Sequence, residues 1–427
     1  MSGRRNFLKT LGGLASAPAL PFASLYAATL DEQVAEYATV AAPQLAQDED
    51  FWFLIKQAYT ASPNMVNVNN GGVSPQPKGV QEAQDHYQRL SNEAPGYYMW
   101  RILGPMREAV RGKLAQLGGC SQEEIALQQN ATQALETAIF GIDLQPGDEI
   151  LTTDQDYPSM LSALRQRERR ESIVIKKISL PVPMNDPDEV VRRFEAAIGP
   201  RTRVILVCQI VNLTGQGLPV KEICALARQR GIRTIVDGAH GFAQLEFNIP
   251  DLGCDYYGTS LHKWLCAPFG TGMLYVRREE IDSLWPLYGA VDGEEKDIRK
   301  FEHLGTRSFP AEVATGHAID FHNGIGTARK RARLLYLRDY WIDAVRDLPG
   351  FSLNTALDPE FSCGIVNFAL EGVDAQKLGN QLLSDYQIYT TVTQHDDVKG
   401  VRISPHVYTS LLDLDRLVEA LRAIRRQ

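Results

Sequence analysis

A carboxylate and an amine stand near each other in the middle of the chain. Asp237 closes a β-branched, apolar run, and Lys263 follows the next such run, directly after Ser260 and His262. A lysine amine forms a Schiff base with an aldehyde, and a carboxylate keeps a pyridine nitrogen protonated so that the ring can accept electrons. Either residue alone would be an ordinary strand-end aspartate or a surface lysine. Their combination predicts a binding site for pyridoxal 5′-phosphate (PLP).

The segment from Gln129 to Glu136 predicts the phosphate-binding part of the same site. It links a predicted strand to a predicted helix, and helix N-termini bind anions through their free backbone N–H groups. We expect the backbone at Ala131 and the hydroxyl of Thr132 to contact the phosphate. Ser260 and His262 supply two further donors. Taken alone, the segment would be a plain helix N-cap.

The length and charge of the chain restrict its class. A chain of 427 residues is too long for one small core and predicts two domains. Its net charge of −8 argues against a nucleic-acid partner held through phosphate contacts. The basic runs Arg165–Arg170 and Arg329–Arg333 are expected to be solvated helix faces rather than binding patches.

The cysteines predict neither a metal site nor a disulfide framework. Six cysteines occur, and their spacing matches neither pattern. Cys208, Cys254 and Cys266 lie in or beside apolar runs and are expected to be small core residues.

The N-terminus resembles a bacterial export signal. Arg4 and Arg5 form a twin-arginine pattern, and an apolar stretch rich in glycine and alanine follows from Leu11 to Leu25. Residues 1–28 are therefore predicted to be a twin-arginine signal peptide, recognised by the twin-arginine export machinery, which delivers folded proteins to the periplasm. The stretch is too short and too weakly apolar for a stable membrane span. A disordered or amphipathic arm is the alternative.

The remaining chain alternates short apolar runs with helical patterns. This alternation predicts an α/β fold with a mostly parallel sheet, whose ligands bind at the C-terminal ends of the strands. A long charged helical region at 311–345 and shorter strands then predict a smaller α+β domain. The predicted divisions are a helical segment at 29–65, a large PLP-binding domain at 66–308 and a small C-terminal domain at 309–427.

With these motifs, the chain resembles the class V aminotransferases of the fold type I PLP enzymes, and most closely their isopenicillin N epimerase-like branch. The resemblance covers residues 67–423. Seven motifs carry it: Asn69–Pro75, Asn130–Thr132, Val211–Gly215, Asp237–His240, Ser260–Trp264, Gly305–Thr306 and Arg402–His406.

The resemblance implies roles for the residues around the cofactor ring. Lys263 would form the Schiff base and act as general acid and base, and Asp237 would pair with the pyridinium nitrogen. Asn212 and His240 would lie near the ring and its phenolic oxygen. Tyr157 occupies the position at which the family stacks a ring on the cofactor.

The resemblance also implies substrate and subunit contacts. Arg402 would hold the substrate α-carboxylate as a bidentate fork, the alternative being a surface arginine within a strand. Asn70 and Gly71 would contact the substrate. Gly305 and Thr306 would reach the phosphate in the neighbouring subunit, which implies a homodimer with composite sites.

The reaction is less well specified than the cofactor. Cysteine desulfurases of this family use a thiol in the loop that precedes the carboxylate-binding arginine. The corresponding loop, Thr390–Gly400, contains no cysteine, and Cys363 lies earlier in the chain. Desulfuration is therefore disfavoured, and transamination, racemisation, C–S lysis and decarboxylation-linked chemistry stay open.

The export signal suggests the substrate. A class V enzyme with a twin-arginine signal resembles the periplasmic PLP enzymes that modify the peptide siderophore pyoverdine. The resemblance implies a glutamyl side group with a free amine and α-carboxylate, converted by oxidative decarboxylation to a succinamide-type group or by transamination. Four residues either flank a bulky chromophore at the entrance or belong to the core: Tyr97, Tyr98, Trp100 and Arg101.

Two alternatives stay open. The enzyme would act on a small amino acid as an aminotransferase, epimerase or C–S lyase, or the chain would be a non-catalytic PLP-fold ligand binder. The intact set of Asp237, Lys263 and Arg402 argues against the second.

Overall fold

The computed structural model describes residues 34, 36, 37 and 39–426. Residues 40–426 form one compact unit. The predicted signal peptide at 1–28 lies outside the described residues. The helices Ala42–Leu45 and Glu49–Gln57 occur within the predicted helical segment at 29–65. None of the helices described here is long and apolar enough to cross a bilayer.

Thirteen strands occur in the described part of the chain. In chain order they are β1 Val66–Asn67, β2 Ile125–Gln128, β3 Glu149–Thr153, β4 Val174–Ile178, β5 Thr202–Cys208, β6 Arg233–Asp237, β7 Tyr256–Ser260, β8 Gly272–Val276, β9 Phe351–Leu353, β10 Val366–Leu370, β11 Ile388–Tyr389, β12 Thr391–Gln394 and β13 Lys399–Ile403.

A seven-stranded sheet forms the centre of the large region, in the order β2-β8-β7-β6-β5-β3-β4. The neighbours from β7 through β4 pair in parallel, whereas β8 is antiparallel to both β2 and β7. The predicted α/β fold with a mostly parallel sheet is confirmed. The helices linking these strands include Ala131–Gly141, Pro158–Glu171, Pro187–Ala197 and Val220–Gln229.

Strand β5 shows why this sheet is buried on both faces. Val204 and Leu206 belong to one hydrophobic cluster, and Ile205 and Val207 belong to the cluster on the opposite face. Successive side chains of a strand point to opposite faces, so a continuous apolar run fills two cores at once. The polar residues that end such strands therefore lie at the carboxyl ends of the strands, where a ligand can reach them.

A four-stranded antiparallel sheet, ordered β12-β13-β10-β9, forms the smaller C-terminal region. The helices Thr327–Val345, Ala375–Tyr386 and Leu411–Arg425 accompany it. Strand β1 pairs in parallel with β11, and Val66 packs in the hydrophobic core of this C-terminal region. The bounds of the two predicted domains remain predictions.

The predicted helical region at 311–345 consists of two helices, Phe309–Ile325 and Thr327–Val345. Gly326 separates them with a φ of +89°, a conformation that glycine adopts without the steric cost of a Cβ. A charge pattern continues across such a break, so the sequence predicted one helical region where the structure has two helices.

The expectation that both basic runs are solvated faces was wrong for Arg167, Lys330 and Arg333, which are buried. Arg167 donates to the carbonyls of Ile139 and Ile142. These carbonyls lie at the end of the Ala131–Gly141 helix, where backbone acceptors have no intrahelical donor. Burial of the guanidinium is thus offset by charge-assisted hydrogen bonds.

The three cysteines expected in the core, Cys208, Cys254 and Cys266, are buried. All six cysteines are free thiols in the structure.

Candidate active site

A cleft of about 450 Å³ contains residues from six of the seven motifs. Asp237 ends β6, Ser260 ends β7, and Arg402 enters from β13 of the smaller sheet. The cleft therefore lies at the carboxyl ends of the parallel strands, as this class of sheet predicts. The predicted site residues that line it are Gly71, Ala131, Thr132, Tyr157, Asn212, Asp237, His240, Ser260, His262, Lys263 and Arg402.

Asp237 presents a desolvated carboxyl group to the cleft. Its Oδ1 accepts a hydrogen bond of 2.9 Å from the backbone N–H of Ala239. Burial raises the pKa of Asp237 to about 6, while the Ala239 N–H and the charge of Lys263 act in the opposite direction. The group is therefore mostly ionised at neutral pH and can accept a hydrogen bond from a protonated ring nitrogen.

Lys263 presents a reactive amine in the same cleft. Its Nζ lies 3.4 Å from His240 Nε2 and 5.9 Å from the ring centroid of Tyr157. Desolvation lowers the pKa of Lys263 to about 8; the nearby Asp237 opposes this shift and Arg402 adds to it. A larger fraction of the amine is thus neutral at pH 7 than for an exposed lysine, and only the neutral form attacks an aldehyde.

His240 is held as a neutral imidazole between Lys263 and the protein interior. Burial lowers the pKa of His240 well below its usual range, and the nearby charges of Lys263 and Arg402 lower it further. The ring can therefore donate one hydrogen bond into the cleft without carrying a positive charge.

The Ala131–Gly141 helix begins at one end of the cleft. Asn130 is its N-cap, because the side chain of Asn130 accepts from the backbone N–H of Gln133 at 2.9 Å. The hydroxyl of Ser260 accepts from the backbone N–H of Ala131 at 2.9 Å. Asn130 thus fills the capping role. The hydroxyl of Thr132, which is predicted to bind phosphate, is not needed as the cap. The helix start can still bind an anion.

His262 lines the same cleft. Its Nδ1 is 3.2 Å from the carbonyl oxygen of Thr271, which can only accept, so Nδ1 carries the proton in the neutral ring. Burial lowers the pKa of His262, and Lys263 lowers it further.

Arg402 is buried, so the alternative of a surface arginine is wrong. Its Nη1 donates to the carbonyl of Asn212 at 2.7 Å, and its Nη2 donates to Asn69 Oδ1 at 3.1 Å. Burial lowers the pKa of Arg402 to about 10, which leaves it protonated at neutral pH. Arg402 Nε and Asn212 Oδ1 are buried and have no hydrogen-bond partner within the described residues. Both atoms could pair with a bound ligand.

Three predicted residues lie outside the lining of the cleft. Asn70 is buried, and its amide donates to the carbonyls of Asn67 and Ser404 at 3.1 and 3.0 Å. It supports the loop that carries Gly71. Gly305 and Thr306 are not part of the lining either. Their predicted contact with a neighbouring subunit is not tested by a single chain.

Sequence reasoning assigned no role to several residues that line the cleft or support it. Thr391 lies in the segment Thr390–Gly400 that contains no cysteine, and it lines the cleft beside Arg402. Asp156 lies next to Tyr157 and accepts from Thr152 Oγ1 and Cys208 Sγ, both at 2.8 Å. The position of Asp156 in the short segment between β3 and the Pro158–Glu171 helix, at the carboxyl end of a parallel strand, was the available signal.

The donor set fits PLP. Asp237 can hold the ring nitrogen, Lys263 the aldehyde, and the Ala131–Gly141 helix start the phosphate. Arg402 Nε and Asn212 Oδ1 are unpaired polar atoms within the described residues and would gain partners from a bound polar molecule.

Known proteins share both the sequence and the fold. The sequence model of the aminotransferase class-V family matches residues 66–417. Isopenicillin N epimerase of Streptomyces clavuligerus is 32% identical over 379 residues, which cover 85% of this chain and 95% of the relative. A probable cysteine desulfurase of Halalkalibacterium halodurans is 27% identical over 394 residues, 86% of this chain and 95% of the relative.

A solved structure of a cystine C–S lyase, in complex with its reaction product cysteine persulfide, superimposes with a TM-score of 0.76. It is 22% identical and covers 84% of this chain and 97% of the lyase chain. Another structure of that lyase contains glycine covalently linked to the PLP cofactor. At this identity the likeness establishes the shared fold.

The family match, the shared fold and the donor set of the cleft agree on the cofactor. The chain belongs to the class-V aminotransferase family and is a PLP-dependent enzyme of fold type I.

Proposed function

We propose that Lys263 binds the cofactor covalently, that Asp237 pairs with its ring nitrogen, and that Arg402 binds the α-carboxylate of an amino substrate. The observation that carries this proposal is the meeting of all three side chains in one cleft. A buried guanidinium with an unpaired Nε is suited to a carboxylate. The lowered pKa of Lys263 supports its role as the nucleophile.

Bound PLP supplies an electron sink for the Cα bond that lies perpendicular to the cofactor ring. Arg402 orients the substrate and so selects that bond. Lys263 would move a proton at the substrate Cα, because its pKa of about 8 allows it both to accept and to release protons near neutral pH. His240, whose Nε2 lies 3.4 Å from Lys263 Nζ, is placed to hydrogen-bond in the cleft beside it.

For the substrate, we propose a glutamyl side group of a pyoverdine-type siderophore, with a free amine and α-carboxylate. The reaction would be oxidative decarboxylation to a succinamide-type group or transamination to a keto acid. Support comes from the twin-arginine pattern at Arg4 and Arg5 and from a resemblance to the periplasmic pyoverdine-modifying enzyme PvdN. Tyr97 and Trp100 are exposed, so a core role does not account for them, although neither lines the cleft.

Mass spectrometry of pyoverdine species incubated with the purified enzyme, with and without oxygen, tests this substrate. Conversion only with oxygen would support oxidative decarboxylation, and conversion that depends on a keto-acid acceptor would support transamination. A deletion strain whose secreted pyoverdine carries the parental side group would refute the siderophore role.

The second candidate is a reaction on a small amino acid. The names of the relatives favour it, since they include an epimerase, a probable cysteine desulfurase and a putative L-cysteine desulfhydrase. Chiral chromatography and sulfide release over a panel of amino acids would detect epimerisation or C–S lysis. Turnover of a free amino acid, without conversion of any pyoverdine, would select this candidate.

Export to the periplasm and homodimerisation are further parts of the proposal. Fractionation of cells that produce the full chain, compared with an Arg4→Lys/Arg5→Lys variant, tests export by the twin-arginine machinery. Light scattering of the purified enzyme tests the dimer that the predicted phosphate contact of Gly305 and Thr306 requires.

The assignment of Lys263 as the residue that binds the cofactor has its own test. Lys263→Ala should abolish the visible absorbance of lysine-bound cofactor, and absorbance that persists in this variant would contradict the assignment of Lys263.

A further inference from the structure

Trp264 follows the proposed cofactor-binding lysine and contacts the histidine beside it. Its indole Nε1 donates a hydrogen bond of 3.3 Å to Nδ1 of His240, within the buried interior. The other ring nitrogen of His240, Nε2, lies 3.4 Å from Lys263 Nζ. An indole N–H is a donor and never an acceptor. Nδ1 of His240 must therefore carry a lone pair, which leaves the proton of the neutral ring on Nε2.

The indole is held in place from several sides. Its ring stacks on His406 with centroids 5.6 Å apart and an interplanar angle of 14°. The carbonyl of Trp264 accepts a hydrogen bond from the buried Lys330 amine. Trp264 is fully buried, so it cannot turn its N–H toward water.

The histidine is equally constrained. Its carbonyl accepts from the side chain of Gln244 at 2.6 Å. The charged groups that act on the His240 ring are Lys263 and Arg402, and both are cationic. His406 and Lys330 contact Trp264. Two cations and burial disfavour a positively charged His240, so the ring keeps a single proton.

We propose that Trp264 is a positioning residue that holds His240 as the Nε2–H tautomer and thereby favours the neutral amine of Lys263. An Nε2–H group can donate to the lone pair of a neutral amine. An ammonium at Lys263 has no lone pair to accept this hydrogen bond, so its N–H groups and the Nε2–H of His240 would both be donors and would repel each other. The proposal rests on the proposed role of Lys263, because the neutral amine is the form that captures the cofactor aldehyde.

The first test reads the tautomer in the apoenzyme, independently of cofactor and substrate. In ¹⁵N-histidine-labelled protein, His240→Gln assigns the ring signals of His240. We expect a protonated Nε2 and an unprotonated Nδ1 in the wild type. In Trp264→Phe, which keeps an aromatic ring and removes the N–H, the Nδ1–H tautomer should appear. An Nδ1–H tautomer in the wild type, or an unchanged tautomer in Trp264→Phe, overturns the proposal. If the variant does not fold, the wild-type spectrum alone still tests the predicted tautomer.

The second test measures how fast the apoenzyme captures PLP as a function of pH. Without the indole donor, His240 Nε2 can accept from the ammonium form, so the midpoint in Trp264→Phe should shift to higher pH. A shift of about half a unit lowers the neutral fraction at pH 7 about threefold. An unchanged midpoint overturns the proposal.

Two controls separate this effect from general damage. Trp341 is a buried tryptophan of the C-terminal core whose Nε1 has no hydrogen-bond partner among the described residues. Trp341→Phe should keep the wild-type midpoint. His240→Gln/Trp264→Phe should match His240→Gln alone, and a further shift in the double variant would show that Trp264 does not act through His240. Capture retained in Lys263→Ala would instead refute the proposed role of Lys263.

Discussion

Arg402 Nη1 donates a 2.7 Å hydrogen bond to the backbone carbonyl of Asn212. Arg402 belongs to β13 of the smaller sheet, whereas Asn212 follows β5 of the large sheet. This contact joins the two walls of the cleft and leaves Nε of the arginine unpaired among the described residues. The residue proposed to bind the substrate is therefore also one that aligns the two sheets.

Arg402→Lys should lower kcat/KM for whichever amino substrate the wild type converts. A lysine keeps the charge but loses the planar fork, and a hydrogen bond to a charged group is worth about 1.5–3 kcal/mol, or roughly 10- to 100-fold. Steady-state kinetics measures the loss, which should fall mainly on KM, while the bound cofactor content stays the same.

The matched control is Arg338→Lys. Arg338 is also buried, and it pairs with Asp339 and Ser362 instead of lining the cleft. It should retain wild-type kcat/KM. Equal losses in the two lysine variants would show that Arg402 has only a structural role.

Asp237→Asn should bind PLP but turn over substrate roughly 10- to 100-fold more slowly, because a neutral amide loses the charge-assisted hydrogen bond to the ring nitrogen. In the wild type, turnover should fall as the pH drops through about 6, where Asp237 becomes protonated. Asp255→Asn is the control, since Asp255 is a buried carboxylate that binds the backbone N–H of Thr234. Wild-type kcat in Asp237→Asn would contradict the assignment.

The rate of PLP capture by the apoenzyme should rise with pH and reach half its maximum near pH 8. Desolvation lowers the pKa of Lys263 to about 8, and the reactive neutral amine therefore increases as the pH rises through this value. Stopped-flow absorbance from pH 6 to 10 measures the profile. A midpoint near the ordinary lysine value of about 10.4 would show that the amine is not desolvated.

Gly215→Ala should destabilise the loop that carries Asn212. Gly215 has a φ of +78°, and an added Cβ would lie 2.2 Å from the carbonyl oxygen of Ile365. Gly231→Ala is the matched control, because its φ is +66° and nothing lies within 4 Å of the added Cβ. Left-handed strain alone costs about 1–2 kcal/mol, so Gly215→Ala should lose clearly more. Urea unfolding measures both losses, and equal values would exclude a clash with the C-terminal region.

Local patterns predicted the large sheet well. The run Val204–Cys208 in β5 is apolar throughout because a strand buried on both faces needs nearly every side chain to be apolar. Asp237 and Lys263 stood out because polar residues directly after such runs fall at the ligand-binding edge of the sheet. The antiparallel direction of β8 was not visible, since an apolar run carries no information about the direction of its neighbour.

The sequence by itself determined the α/β fold, the family and the cofactor, because local periodicity and closely spaced motif residues specify them. Only the tertiary structure decided that Arg402 meets Asn212, that Arg167, Lys330 and Arg333 are buried, and that Trp264 donates to His240. These contacts join residues distant in the chain or depend on which way a side chain turns, and packing decides both.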